Sequence, residues 1–268
     1  MTAPVKPALP GKCGDRLAGK IAMVTGIAAG IGRGIALLFA QQGAKVIGCD
    51  IDAAGAQRTV EDAAAQGLKI ASLHPLDLTQ PEQVTHLVGY AAAQLGGIDV
   101  LVNAAAFGAF EWLEDMHYES QWRRTLVGEV DVVFLLCQAA WPQMKLRGGG
   151  SVINFASANS HVALALSPAL AHCAGKGAVL AMSRQLAMEG APHGIRVNTI
   201  SPALVESAAT AVPLKTIPGF REQVLEKLMI KRLGQPEDVA WLAVYLASDE
   251  SSWVTASDFR IDAGATAW

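Results

Sequence analysis

The segment SPALAHCAGKGAV, residues 167–179, sets His172 and Lys176 four residues apart. The surrounding pattern AHCAGKGAVLAMSRQLAMEG, 171–190, reads as a helix, so both side chains share one face. A lysine ammonium beside an imidazole favours the neutral ring, which is a proton acceptor around neutral pH. Free imidazole titrates at about 6.5, inside the range in which an enzyme works. The pair therefore offers general acid/base chemistry with a cation beside it.

A second group of residues fits an anionic ligand. TGIAAGIG, 25–32, follows the apolar run KIAMVT, 20–25, and opens the helical pattern GIGRGIALLFAQQG, 30–43. Gly26, Gly30 and Gly32, with Ile31 among them, allow a tight turn that a pyrophosphate can approach, where free N–H groups and the helix dipole favour anions. Asp50 ends the next apolar run, AKVIGC, 44–49, and Ile51 follows it. A carboxylate there accepts hydrogen bonds from both hydroxyls of an adenosine ribose and repels a 2′-phosphate. No Arg or Lys adjoins it in GCDIDAAG, so NAD(H) is expected over NADP(H). The plainer alternatives are a glycine turn that only packs helix on strand, and Asp50 or Asp52 as a cap on the following helix.

These residues need a frame. Further strand-like runs are LKIASL (68–73), IDVLVN (98–103), GSVINF (150–155), GIRVNTI (194–200) and FRID (259–262). Helical patterns lie between them at 81–96, 122–144, 171–190 and 236–248. Apolar strands alternating with helices predict an α/β fold: one Rossmann-type, doubly wound parallel sheet with helices on both faces. Residues 1–15, rich in proline, are expected to be a flexible arm, and 16–268 a single domain.

Composition narrows the function classes. The 268 residues are 51% hydrophobic and 17% charged, which describes a globular chain. A net charge of −3 offers no footprint for nucleic acid or an anionic membrane. No uninterrupted apolar run is long enough to span a bilayer, and the N-terminus lacks the apolar core of a signal peptide. Cysteines 13, 49, 137 and 173 are scattered without metal-ligand spacing, so no metal is expected and the expected location is the cytoplasm.

Taken together the motifs resemble those of the short-chain dehydrogenase/reductase family, over nearly the whole chain from about residue 16. TGIAAGIG resembles its TGxxxGIG loop. LDLT, 76–79, resembles the stretch whose Asp and following residue, here Asp77 and Leu78, meet the adenine. LVNAAA, 101–106, keeps Asn103 of the NNAG motif, with Ala104 and Ala106 in place of Asn and Gly. VINFASAN, 152–159, resembles the strand that delivers a catalytic serine, here Ser157. HCAGK, 172–176, stands where the family has YxxxK. ISPALVES, 200–207, resembles the PG motif over the nicotinamide, with Pro202, with Ala203 for Gly, and with Val205 at the carboxamide contact. RLGQPEDVA and RIDAGATAW resemble the C-terminal signatures.

The resemblance implies an NAD(H)-dependent oxidoreductase that interconverts an alcohol and a ketone or aldehyde. Ser157 would orient the substrate and Lys176 would hold the nicotinamide ribose. His172 replaces the proton-transferring tyrosine, and Glu129 stands at the position of an asparagine that supports a water relay. An imidazole nitrogen lies about 2 Å nearer the backbone than a phenolic oxygen, a shift large enough to matter, so the substrate must sit deeper or a water must bridge. Two alternatives follow from these departures: a lyase, dehydratase, isomerase or hydrolase with Glu129 and His172 as an acid/base couple, or a catalytically silent NAD-binding homologue.

The stretch from Ser157 to His172 is slightly longer than usual for the family and offers Ser160 and His161 as outside candidates. Residues 204–229 correspond to the family's lid over the substrate. Trp112, His117, Trp141 and Met182 are either pocket lining or core. A small, largely apolar alcohol or carbonyl compound is the expected substrate. A homo-oligomer, a tetramer by resemblance, is expected through helices 122–144 and 171–190.

Overall fold

Seven short runs of β-branched and small apolar residues pair side by side to give one parallel sheet in the order β3-β2-β1-β4-β5-β6-β7. The strands of this computed structural model are β1 Ile21–Thr25, β2 Lys45–Cys49, β3 Ile70–Leu73, β4 Val100–Asn103, β5 Gly150–Phe155, β6 Ile195–Pro202 and β7 Asp258–Ile261. Residues 14–163 and 167–268 are described. Most of the expected N-terminal arm, and residues 164–166 in the stretch before His172, lie outside them. Every residue of β1 and β4 is buried, as strands covered on both faces require.

Five helices lie where the sequence predicts them, with ends shifted by a few residues: α1 Gly30–Gln41, α3 Pro81–Leu95, α4 Tyr118–Leu146, α5 Leu170–Gly190 and α8 Pro236–Ala247. A sixth, α2 Ala53–Ala65, was not among the predicted helices. Its alanine-rich, polar sequence buries only Gly55, Ala56, Thr59 and Ala63, too sparse a stripe to announce itself. Asp52 caps it by accepting the Gly55 N–H at 3.0 Å, so the capping role belongs to Asp52 and leaves Asp50 for other work. The expected lid segment folds into two short helices, α6 Ala208–Thr216 and α7 Phe220–Lys227.

The sheet separates two apolar clusters. On one side Ile35, Leu38 and Phe39 of α1 meet Val239, Ala243 and Val244 of α8. On the other, Leu87 of α3, Leu136 and Met144 of α4 and Val179 of α5 pack together. Burying one such Leu or Phe contributes roughly 1.5–3 kcal/mol.

Among the described residues, α4 alone is long and apolar enough by composition to cross a membrane, although the sequence has no uninterrupted apolar run of that length. Its Val132, Val133, Leu136, Cys137, Ala140 and Met144 are instead buried in the cluster under the sheet. That packing accounts for its apolar face.

The strand order reverses between β1 and β4, which leaves a crevice outside their carboxyl ends. Thr25 ties the two sides of the reversal together. Its hydroxyl accepts the N–H groups of Ala104 and Ala105 at 3.1 and 3.0 Å and donates to the Val102 carbonyl at 3.3 Å. The residues with chemical potential converge on this edge of the sheet.

Candidate active site

Three separate elements deliver the reactive side chains. Ser157 lies just past the end of β5 in extended backbone and caps the short turn that follows, accepting the Asn159 N–H at 3.2 Å. His172 sits in the first turn of α5. Glu129 comes from α4, on a stretch wound with wider i→i+5 turns over Val127–Asp131. Such local widenings re-aim a helical side chain and are frequent at functional sites.

The three side chains form a line. Glu129 Oε1 lies 2.6 Å from His172 Nδ1, and His172 Nε2 lies 3.3 Å from Ser157 Oγ. A carboxylate only accepts, so Nδ1 carries the ring proton and Nε2 presents its lone pair toward the serine. The shorter reach of imidazole is therefore no obstacle to meeting Ser157. Glu129 is only 3% exposed, and its Oε2 is buried without a hydrogen-bond partner among the described residues. Room for that carboxylate comes from Gly175, where a Cβ would stand 2.5 Å from Oε2. Gly175 is not legible in the sequence, because nothing there marks which helix glycine faces a carboxylate.

Lys176, one turn beyond His172, is buried and donates to the Phe155 carbonyl at 3.1 Å. Burial holds its ammonium below the ordinary 10.5, with the Glu129 charge working in the opposite direction. One bond to Phe155 leaves two further N–H donors for a ligand. Phe110 closes over the histidine, ring centroids 5.4 Å apart, and supplies an apolar wall that the sequence reading did not single out.

The glycine turn has the shape of a phosphate cradle. Gly26 has φ +75°, and a Cβ there would stand 2.9 Å from the Ala105 backbone. At Gly32 a Cβ would fall 2.2 Å from the Gly26 carbonyl oxygen. Both positions therefore exclude a side chain, while Gly30 and Ile31 open α1 between them. Asp50 braces this turn: its carboxylate accepts the Ala28 N–H and the Asp52 N–H, each at 2.9 Å. Ile51 beside it is exposed. The cradle, the braced carboxylate and the spare donors of Lys176 together fit a nicotinamide dinucleotide laid across the crevice.

Other expected residues divide by backbone and side chain. The Asn103 side chain turns inward, donating to Asn154 Oδ1 at 2.8 Å and to Cys137 Sγ at 3.4 Å, so only its backbone faces the crevice edge. Asn154 in turn donates to Ser183 Oγ at 2.9 Å, a buried polar chain from β4 to α5 that the sequence did not reveal. Asp77 holds the backbone N–H and hydroxyl of Thr79, and the Leu78 side chain is buried in the core. Pro202 ends β6, and Val205 is bridged to Gly234.

The outside candidates play other parts. Ser160 accepts the Ser157 N–H, and His161 pairs with Asp258 at 2.9 Å. Trp141 and Met182 pack on the core, whereas Trp112 and His117 are exposed. Cys137 is buried, its thiol pushed up to about 12 by burial.

A parallel doubly wound sheet with a glycine turn at its switch point is the frame of many nucleotide-binding α/β proteins. Comparison with known proteins makes the class specific. The family model described as Enoyl-(Acyl carrier protein) reductase matches residues 26–266. The chain is 37% identical over 255 residues to a D-threitol dehydrogenase of Mycolicibacterium smegmatis, covering 94% of each chain. It is 36% identical to an NAD-dependent glycerol dehydrogenase of Listeria innocua, covering 92% of this chain and 94% of that one. A crystal structure of a short-chain type dehydrogenase/reductase from Mycobacterium marinum superposes with TM-score 0.87 at 34% identity, covering 93% of this chain and 96% of the other. The chain belongs to the short-chain dehydrogenase/reductase family and is an oxidoreductase of that fold.

Proposed function

We propose that the protein interconverts a small, largely apolar alcohol and its ketone or aldehyde with NAD(H), using His172 as the acid/base group. The line Glu129–His172–Ser157 carries this reading. Ser157 Oγ lies beside His172 Nε2, where a substrate oxygen can contact both. In the oxidative direction Nε2 takes the hydroxyl proton, and Glu129 stabilises the imidazolium that results. Lys176 holds ribose hydroxyls with its two spare donors. The nicotinamide, when bound, supplies the hydride chemistry.

Asp50 supports NAD(H) over NADP(H). Its carboxylate repels a 2′-phosphate, and neither neighbour is a cation to offset that repulsion. The L. innocua relative is itself NAD-dependent. A homotetramer in the cytoplasm completes the reading: Phe134 and Leu146 on α4 and Met188 on α5 leave apolar surface for a partner copy to cover.

Calorimetric titration of the purified protein with NADH and NADPH tests this without a known substrate. Binding of NADH at least tenfold tighter than NADPH is expected. Binding of neither, or tighter binding of NADPH, overturns the NAD(H) assignment.

A further inference from the structure

The same three side chains have a second chemical meaning that needs no nicotinamide. A serine hydroxyl on one imidazole nitrogen, with a carboxylate on the other, is the arrangement that activates serine toward acyl groups. Here the distances are 3.3 Å and 2.6 Å, and the carboxylate is buried. Ser157 Oγ accepts the Asn159 N–H at 3.2 Å while its proton faces His172 Nε2. The next backbone N–H, that of Ala158, has no hydrogen-bond partner among the described residues, and a free N–H on the residue after the nucleophile is the kind of donor that an acyl oxyanion needs. Lys176 is engaged with Phe155 and is not required for this chemistry.

We propose that Ser157 is also a nucleophile, and that the protein hydrolyses small carboxylic esters with apolar acyl groups, the Phe110 wall over His172 favouring that class. The Ser157 proton passes to His172 Nε2 as Oγ bonds to the carbonyl carbon. The ester C–O bond then breaks, and the leaving alkoxide takes the proton from His172. Water gives a proton to His172 and attacks the acyl-serine; the acid departs, and the proton returns to Ser157. No electrons are exchanged, and water is the one co-reactant.

The test uses the full-length protein with p-nitrophenyl acetate and no nucleotide. A burst of p-nitrophenolate is expected, with the acetyl group mapped to Ser157 by peptide mass spectrometry. Ser157→Ala abolishes the burst, His172→Ala lowers its rate about 10²–10⁴-fold, and Cys173→Ser leaves it unchanged. NADH titration of each variant reports its folding and the oxidoreductase reading separately. An acyl group on Ser157 supports the proposal whether or not NADH binds. NADH binding without that adduct, an adduct only on Cys173 or surface lysines, or a burst that survives in Ser157→Ala overturns it.

Discussion

Glu129 Oε1 and His172 Nδ1 meet at 2.6 Å although the two residues are 43 positions apart in the chain. The carboxylate fixes the ring so that Nε2 faces Ser157, which joins side chains from α4, α5 and the end of β5 in one hydrogen-bonded line.

Replacing Glu129 by glutamine keeps the volume and removes the charge. The amide can donate to Nδ1 and turn the tautomer around, directing Nε2–H at Ser157. Turnover should fall by roughly 10²-fold or more, with NADH affinity unchanged, as steady-state kinetics and calorimetry on the same sample will read.

Gly175→Ala sets two effects against each other. An alanine in a helix gains about 1 kcal/mol over glycine. Its Cβ, however, would stand 2.5 Å from Glu129 Oε2 inside a packed site, and overpacking costs about 1–3 kcal/mol. The clash wins: the variant should melt lower than wild type and lose activity with it. A higher melting temperature with full activity would contradict the packing of Glu129.

Asp50→Ala should reduce selectivity for NADH over NADPH roughly tenfold or more, by removing charge-assisted hydrogen bonds worth about 1.5–3 kcal/mol. It also frees the Ala28 N–H, so NADH affinity itself should drop. Parallel titrations of both nucleotides measure the ratio.

Acid should weaken the fold at the N-terminus of α8. Burial pushes the Asp238 carboxyl up, but hydrogen bonds and charge from Arg232 and the Gln235 N–H hold it below the ordinary 3.8. A depressed folded value means that its stabilisation is complete above 3.8 and is lost as pH falls below it. Asp238→Asn should cost about 0.5–2 kcal/mol at neutral pH and flatten the acid limb of a plot of urea midpoint against pH.

The strands, the glycine turn and the shared face of His172 and Lys176 were legible because each is a short-range pattern of burial, turn chemistry or helical spacing. Helix α2 was not, since Ala and Gln side chains leave a faint stripe. The inward turn of Asn103 was hidden as well: a polar residue at a strand end reads as solvent-facing until Asn154 and Cys137 are seen to surround it. The contact between Glu129 and His172 depends on the register between α4 and α5 and on the widened turns of α4. No local pattern encodes either.

In the proposed reaction His172 moves the substrate proton. The most direct measurement is single-turnover oxidation of bound NADH by a panel of small ketones, in wild type and in His172→Ala. Turnover by wild type, a fall of about 10²–10⁴-fold in the variant, and equal NADH affinity in both are expected. Turnover in the variant at the wild-type rate, or a wild type that binds NADH and reduces none of the ketones, would contradict it.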